Sequence, residues 1–299
     1  FAYSACLSNT IRFLPDKKGL ASGLITGGMG GAAIIAAPIA NTLIERYGVS
    51  QAFWRMGLAY ALIGFFFSLF IRSAPKQVVP QTAEGSEKAP AKTITANKNW
   101  KEMLTTPAFY LLILMFAMGA FSGLMIASNA SLIGQSMFGL SATAAAAYVS
   151  LYSLSNTSGR VFWGAVSDRI GQIRAVIIIY SAIIFAFVLL VSVNQVWAFA
   201  AGVVTLGLCF GGVMGVFPGL VMDNFGPANQ GVNYGIVFIG FSSAAFIAPK
   251  VTASLAAANN GDFTKAFYVA IAVVLLGLGL SLVYAKRKAD AKLAAEIVQ

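Results

Sequence analysis

The chain has 299 residues, of which 58% are hydrophobic and 10% are charged, and its formal net charge is +10. Soluble domains carry about 25% charged residues, so this composition excludes a soluble globular protein and indicates a polytopic membrane protein. The sequence contains no histidine, and its two cysteines both lie in apolar runs, so we predict no metal site, no cofactor and no disulfide framework.

Apolar runs long enough to cross a hydrocarbon core of about 30 Å recur along the chain. The run at 1–14 is too short to span, and we interpret it as the end of a helix that starts before Phe1. Full spans are predicted near 20–43, 53–72, 106–129, 142–164, 174–193, 197–221, 231–256 and 265–285. The predicted domains are 1–73, the remainder of an N-terminal bundle; 74–101, a solvated polar linker; 102–285, a six-helix bundle; and 286–299, a tail.

The distribution of positive charge predicts the orientation in the membrane. Most of the 20 lysines and arginines flank the spans on the side of the linker and the tail, whereas Arg46, Arg55 and Lys265 fall on the other side. Cytoplasmic loops carry such an excess, so we predict a cytoplasmic linker and C-terminus in a plasma membrane, the inner membrane if bacterial. The net charge then reflects topology and attraction to anionic lipid, and we predict no nucleic-acid partner.

One turn pattern occurs twice. Residues 13–23 and 225–235 both read F-x-P-x-x-x-G-x-x-x-G, and each copy is followed by two spans and then by the linker or the tail. Four spans precede the second copy, so we expect about three more spans before Phe1. Two parallel six-span halves resemble major facilitator transporters, and the predicted fold is an all-α membrane protein of two pseudo-symmetric bundles. Chance recurrence of Pro and Gly in membrane loops is the alternative.

Glycines recur at every fourth residue on two predicted spans. The two rows are Gly19, Gly23, Gly27 and Gly31, and Gly207, Gly211 and Gly215. Rows of small residues let membrane helices approach closely, so both rows predict tight packing or a smooth seam along which the halves move.

The stretch GAVSDRIGQIR, at 164–174, resembles the G-x-x-x-D-R-x-G-R-R signature of the major facilitator superfamily, with Gln172 and Ile173 departing from its basic tail. The resemblance implies a latch that stabilises the conformer closed to the cytoplasm. Asp168 would then cap backbone donors or a helix N-terminus from the other half. The alternative is that the positive charges of this turn only hold the loop at the cytoplasmic surface of the membrane. The predicted gating residues, together with those of the first turn, are Gly164, Asp168, Arg169, Gly171, Arg174, Pro15, Asp16 and Gly19.

Arg160 lies within a predicted span, eight residues before Asp168 or about 12 Å along a helix. Tyr148, Tyr152, Asn156 and Arg160 follow each other at a spacing of four and form a polar, aromatic stripe. Because no carboxylate falls in the middle of a predicted span, this cation indicates an anionic substrate. The planar guanidinium can donate two parallel hydrogen bonds, which suits a carboxylate. The alternative is that the long Arg160 side chain extends to the interface between membrane and water.

Three further motifs indicate a family. RFLPDKKGLASG, at 12–23, resembles the R-W-F-P-D-K-R-G-L-A-S-G signature of the oxalate/formate antiporter family, and GRVFWGAVSDRIG and NYG, at 159–171 and 233–235, also match it. The resemblance runs over the whole chain, from an incomplete fourth span to the twelfth. It implies that Arg160 faces the substrate.

The sequence departs from that family at one position that matters for the substrate. Oxalate carriers of the family place a lysine six residues after N-Y-G, where this chain has Phe241, and Lys250 should face elsewhere and lie nearer the outer end. One central cation predicts a monocarboxylate, such as pyruvate, lactate or formate, rather than oxalate. The predicted substrate-binding residues are Arg160, Tyr152, Asn156, Tyr148, Phe210, Met214, Phe238 and Phe241.

The predicted function is secondary active transport of a small organic anion by alternating access. The predicted protein is a monomer in the lipid bilayer, coupled to a counter-anion or a proton. Two alternatives stay open: a carrier of a neutral or drug-like solute, in which Arg160 is structural, and a membrane sensor that keeps the fold without transport. An enzyme is not predicted, since the chain has no histidine, no acid pair within a span and no nucleotide motif.

Overall fold

The computed structural model describes residues 2–74 and 97–297, and these residues form helices joined by short turns, without a strand. A short 3-10 helix, Pro15–Lys17, joins the first two α-helices. The α-helices are α1 Ala2–Phe13, α2 Lys18–Ser68, α3 Trp100–Leu104, α4 Pro107–Phe138, α5 Ala142–Ile170, α6 Gln172–Ser192, α7 Val196–Phe225, α8 Gln230–Ala257 and α9 Thr264–Ile297. The predicted all-α architecture is confirmed.

Within this described part of the chain, five helices are long and apolar enough to cross a membrane: α4, α6, α7, α8 and the Thr264–Asp290 part of α9. They correspond to five of the predicted spans. The predicted span 142–164 is also helical, as part of α5, but α5 carries polar side chains along its length and is not among the five.

Two predicted spans, 20–43 and 53–72, belong to one element that is broken at Gly48. This residue has a φ of 77° and a ψ of 165°, a conformation that glycine adopts without a steric penalty. A single residue therefore makes the break for which the sequence predicts a loop of several residues. The Asn9 side chain donates to the Arg72 carbonyl over 2.8 Å and accepts from the Ala74 amide over 2.8 Å. These bonds place the residues that follow α2 beside α1, at the same end of the molecule at which α2 begins.

The junction of α5 and α6 consists of one residue. Gly171 has a φ of 90° and separates the two helices. At the other end of α5, the Ser141 hydroxyl accepts a hydrogen bond from the Ala144 amide over 3.2 Å and caps the helix. Local sequence therefore sets both ends of α5, the helix that carries Arg160 and Asp168.

The last residues of the predicted linker are attached to the turn between α7 and α8. The Lys98 amide donates to the Phe225 carbonyl over 2.9 Å, and the Asn233 side chain donates to the Lys98 carbonyl over 3.0 Å. Helix α3 begins at Trp100, one residue after its Asn99 cap, so the helical region starts slightly before the predicted linker boundary at 101. The rest of the predicted linker, 75–96, lies outside the described residues.

Helix α7 lies at the centre of the packed core. Its side chains contact α4, α5 and α6, and Phe217 stacks on Phe116 of α4 with ring centroids 4.6 Å apart. Since lipid is as apolar as these side chains, close packing and hydrogen bonds hold such helices together, rather than exclusion of water.

The two glycine rows lie on either side of α5. On α7, a Cβ added at Gly211 would be 2.0 Å from the Asn156 carbonyl oxygen, and one at Gly215 would be 2.5 Å from that of Arg160. On α2, a Cβ at Gly23 would be 2.3 Å from the Arg160 carbonyl oxygen. Helix α5 is thus held against the backbones of α2 and α7 at the level of Arg160.

Candidate binding site and gate

Arg160 is buried on α5, with 8% of its surface exposed. Its Nε donates to the Asn156 Oδ1 over 2.9 Å, and its Nη1 donates to the backbone carbonyl of Thr26 on α2. Across residues 2–74 and 97–297, no carboxylate forms an ion pair with it. A buried charge in a membrane protein is costly without a partner, so the position of Arg160 suits an anion that binds and leaves.

The Arg160 guanidinium interacts electrostatically with three tyrosine hydroxyls, those of Tyr3 and Tyr234 on other helices and that of Tyr152 on its own helix. Tyr234 on α8 is 1% exposed, and Tyr3 on α1 is half-buried. The hydroxyl groups of Tyr3 and Tyr234 lie beside each other and interact with each other. Neither has a further hydrogen-bond partner within the part of the chain that the structure describes. Together with Arg160, the pair forms a set of hydrogen-bond donors that could receive an anion.

Neither tyrosine is among the predicted site residues. Tyr234 is the middle residue of the N-Y-G motif, which indicated the family but not this role. Tyr3 lies in α1, and nothing in its local sequence indicates that it faces α8. Only the packing of α1 on α8 brings the two rings to a centroid distance of 6.3 Å.

Aromatic rings form one wall beside these donors. Phe238 and Phe241, one turn apart on α8, have centroids 4.8 Å apart, and Phe241 stacks on Phe210 of α7 at 6.3 Å. Phe238 also lies 6.0 Å from the Tyr3 ring. Met214 is buried one turn beyond Phe210. The structure thus brings together the predicted aromatic residues of α7 and α8.

The polar stripe of α5 does not converge on one point. Asn156 contacts Arg160, but the Tyr152 hydroxyl donates to the Gly123 carbonyl on α4 over 2.7 Å. Tyr148 packs edge-on against Phe199 at 5.1 Å, about 18 Å from Arg160 along the helix. Helical spacing therefore identified one partner of Arg160, while Tyr152 and Tyr148 are engaged by neighbouring helices.

Asp168 attaches the end of α5 to the start of α2. Its two carboxylate oxygens accept hydrogen bonds from the Gly19 amide at 2.7 Å and the Leu20 amide at 2.9 Å. These amides belong to the first turn of α2, where backbone N–H groups lack helical partners and the helix dipole favours negative charge. The expected capping geometry is present between these residues. We call this end of the molecule the Asp168 end.

Gly19 and Gly164 bring the two backbones into direct contact at the Asp168 end. A Cβ added at Gly19 would lie 2.2 Å from the Gly164 carbonyl oxygen, and one at Gly164 would lie 2.3 Å from that of Gly19. No larger residue fits at either position without separating α2 from α5.

The other predicted gating residues lie at the same end without a described role in this contact. Arg169, Arg174 and Asp16 are exposed, Gly171 forms the α5–α6 junction, and Pro15 starts the 3-10 helix.

Two further contacts across the Asp168 end were not predicted. Lys18 Nζ lies 3.0 Å from the Asp223 carboxylate near the end of α7. Arg12 donates to the carbonyl groups of Pro227 and Ala228 over 3.0 and 2.8 Å. Lys18 belongs to the first F-x-P turn, and Pro227 and Ala228 belong to the second. Some of the residues that make these contacts therefore lie in the turn pattern that occurs twice in the sequence.

Lys250 lies apart from the Arg160 site. Its Nζ sits 3.6 Å above the ring of Phe246, and both residues are exposed on α8. Nine helical residues separate Lys250 from Phe241, which places the two on opposite faces at about 100° per residue. The expectation that Lys250 faces elsewhere agrees with this placement.

A cavity of about 450 Å³ lies away from the Asp168 end, between α4 and α8. None of the predicted site residues lines it. Its lining includes Asn129, Gln135 and Ser136 on α4 and Ala253, Ala256 and Ala257 on α8.

Comparison with known proteins agrees with the motifs. The family model described as Major Facilitator Superfamily matches residues 1–249 and, overlapping them, residues 150–296. The chain is 32% identical over 241 residues to an uncharacterized MFS-type transporter, YhjX, of Escherichia coli (strain K12), a match that covers 80% of this chain and 58% of that protein.

The chain is also similar to the oxalate:formate antiporter of Oxalobacter formigenes. The two are 27% identical over 283 residues, or 93% of this chain and 65% of the antiporter. The chain thus spans less than two thirds of the length of either relative. The resemblance that the motifs indicated is confirmed by these matches. The chain belongs to the Major Facilitator Superfamily and is an integral membrane protein.

Proposed function

We propose that the protein transports a small organic anion by alternating access. The observation that carries this proposal is Arg160, a buried cation with no described carboxylate partner and with the hydroxyls of Tyr3 and Tyr234 nearby. A guanidinium has five N–H donors, of which Asn156 and Thr26 take two, so three remain for an anion. The antiporter similarity supports an anion as the substrate.

The proposed substrate is a monocarboxylate such as pyruvate, lactate or formate, and oxalate is disfavoured. Phe241 occupies the position at which oxalate carriers of the resembled family have a lysine, and it packs among Phe210 and Phe238. Lys250 lies on the opposite face of α8 and cannot replace that lysine in this arrangement. One cation with an apolar wall suits one carboxylate attached to a small apolar group.

The contacts at the Asp168 end support a gate. The Asp168 cap on α2, the Gly19–Gly164 contact and the Lys18–Asp223 pair all join helices that must separate if a path opens there. We propose that this conformer is closed on the Asp168 end, and that this end is cytoplasmic in a bacterial inner membrane. A monomer that exchanges the anion for a counter-anion or a proton completes the proposal.

The test uses the complete protein reconstituted in liposomes loaded with pyruvate, lactate, formate or oxalate. Uptake of the labelled anion by counterflow is measured for the wild type, for Arg160→Gln and for the control Lys250→Gln, which removes a cation away from the site. We expect saturable uptake of a monocarboxylate by the wild type and by Lys250→Gln. Arg160→Gln should lose about 100-fold in uptake, since charge-assisted hydrogen bonds of about 3 kcal/mol are removed.

Equal uptake by Arg160→Gln and the wild type would contradict the role of Arg160. Counterflow of neutral solutes alone would favour the carrier of a neutral or drug-like compound. A carboxylate that binds but never crosses the membrane would favour the sensor.

A further inference from the structure

Helix α2 contacts the Arg160 guanidinium at two positions one helical turn apart. The Thr26 carbonyl accepts a hydrogen bond from Nη1, although Thr26 is part of the regular helix. A carbonyl oxygen has two lone pairs, so it can serve the helix and Arg160 at once. One turn further on is Gly30, where an added Cβ would lie 2.9 Å from the Arg160 Cζ and 3.1 Å from its Nε and Nη1.

The close contact at Gly30 differs from those of the neighbouring glycines on the same helix. A Cβ at Gly28 would meet nothing within 4 Å, and one at Gly31 would lie 3.3 Å from a methyl group of Thr157. Gly30 is therefore the glycine of this stretch whose missing side chain leaves room for the guanidinium itself. Asn156 holds the guanidinium from α5, while Thr26 and Gly30 hold it from α2.

We propose that Gly30 and the Thr26 carbonyl are positioning residues for anion binding by Arg160. Together they form a seat on α2 that fixes the plane of the guanidinium and leaves three of its donors free. A methyl group at position 30 would push the guanidinium out of this seat and break its bond to Thr26. The main chain can stay in place because the clash is with the far end of a long, flexible side chain. This inference rests on the proposed function, since it assigns the seat a role in holding the substrate's counter-ion.

The seat also connects the binding site to the contact between α2 and α5. The Arg160 side chain bonds to α2 at Thr26, and the Arg160 backbone carbonyl packs against the α2 backbone at Gly23. When α2 and α5 separate, Arg160 loses its Thr26 partner. The orientation in which the guanidinium meets an anion therefore depends on the position of α2.

The experiment compares Gly30→Ala with the matched control Gly28→Ala in the complete protein. The KM and the maximal rate of carboxylate counterflow are measured in liposomes, and the melting temperature Tm is measured in detergent. We expect Gly30→Ala to raise KM about tenfold, the change that accompanies loss of one charge-assisted hydrogen bond, with a smaller change in maximal rate. Gly28→Ala should keep the wild-type KM.

Both alanine variants are then combined with Arg160→Lys, because a lysine has no guanidinium to displace. In this background, Gly30→Ala should change Tm no more than Gly28→Ala does. A Tm change of Gly30→Ala that differs between the native protein and the Arg160→Lys background identifies Arg160 as the group that position 30 contacts. Wild-type protein that exchanges no carboxylate would overturn the proposed function. Wild-type exchange combined with an unchanged KM in Gly30→Ala, or with the same Tm change in both backgrounds, would overturn the seat alone.

Discussion

The carboxylate of Asp168 accepts a hydrogen bond from the backbone amide of Gly19, over 2.7 Å, across the contact between α5 and α2. Its second oxygen accepts from the next amide, that of Leu20, over 2.9 Å. The side chain therefore completes the first turn of a helix to which it does not belong. These hydrogen bonds exist only while α2 and α5 are in contact. They therefore stabilise the conformer in which the two helices touch at the Asp168 end.

Asp168→Asn should weaken this conformer by about 1–2 kcal/mol, because the amide keeps one acceptor and loses the negative charge. A cysteine in place of the buried Ser167, in a protein without other cysteines, reports the opening. We expect its alkylation to become at least about fivefold faster in Asp168→Asn. The control is Asp262→Asn, since Asp262 caps its own helix α9 through Thr264 and should leave the alkylation rate unchanged. Equal rates with and without Asp168→Asn would contradict the role of this cap.

Gly164→Ala should separate α5 from α2, because its Cβ would lie 2.3 Å from the Gly19 carbonyl oxygen. Overpacking of this kind costs about 1–3 kcal/mol. We expect a lower Tm and a reduced rate of the proposed exchange. Gly235→Ala serves as the control, since a Cβ there meets nothing within 4 Å. A Gly164→Ala protein with the stability and rate of the control would show that the two backbones are not held this closely.

Tyr3→Phe and Tyr234→Phe should raise the KM of the proposed exchange without lowering the free energy of unfolding. Among the described residues, neither hydroxyl has a partner apart from the other tyrosine, so the removal of one breaks no hydrogen bond to the rest of the protein. Tyr152→Phe is the contrasting variant. Its hydroxyl donates to the Gly123 carbonyl, so we expect a loss of about 1 kcal/mol of stability. Unfolding followed in parallel with counterflow separates the two effects, and a KM unchanged in both Tyr3→Phe and Tyr234→Phe would remove these hydroxyls from the site.

Phe241→Lys should shift the preference of the proposed carrier towards a dicarboxylate. The new ammonium group would stand among Phe210 and Phe238, where it adds a second cation to the site of Arg160. We expect the ratio of oxalate to formate counterflow to rise at least about tenfold, the effect of one added ion pair in a site shielded from water. Phe246→Lys, at an exposed position of the same helix, should leave the ratio unchanged. A ratio that rises equally in both variants would point to a general effect of charge.

The sequence alone identified the class of protein, most of the spans, the family and one cation within a span, because each of these depends on composition or local spacing. Apolar length predicts a membrane helix wherever that helix packs. The spacing between Arg160 and Asp168 is a property of one helix, so the position of the arginine along that helix relative to Asp168 followed from α5 alone. The single-residue break at Gly48 was not predicted, since the sequence pattern cannot distinguish a short loop from one glycine with a positive φ.

Only the tertiary structure decided which residues of other helices surround Arg160. Tyr3, Thr26, Gly30 and Tyr234 come from α1, α2 and α8, and no spacing within α5 relates them to it. Tyr148 and Tyr152 have the right spacing but are engaged by Phe199 and Gly123 on other helices. Periodicity fixes which face of a helix a residue occupies, whereas the helices packed against that face determine its partners.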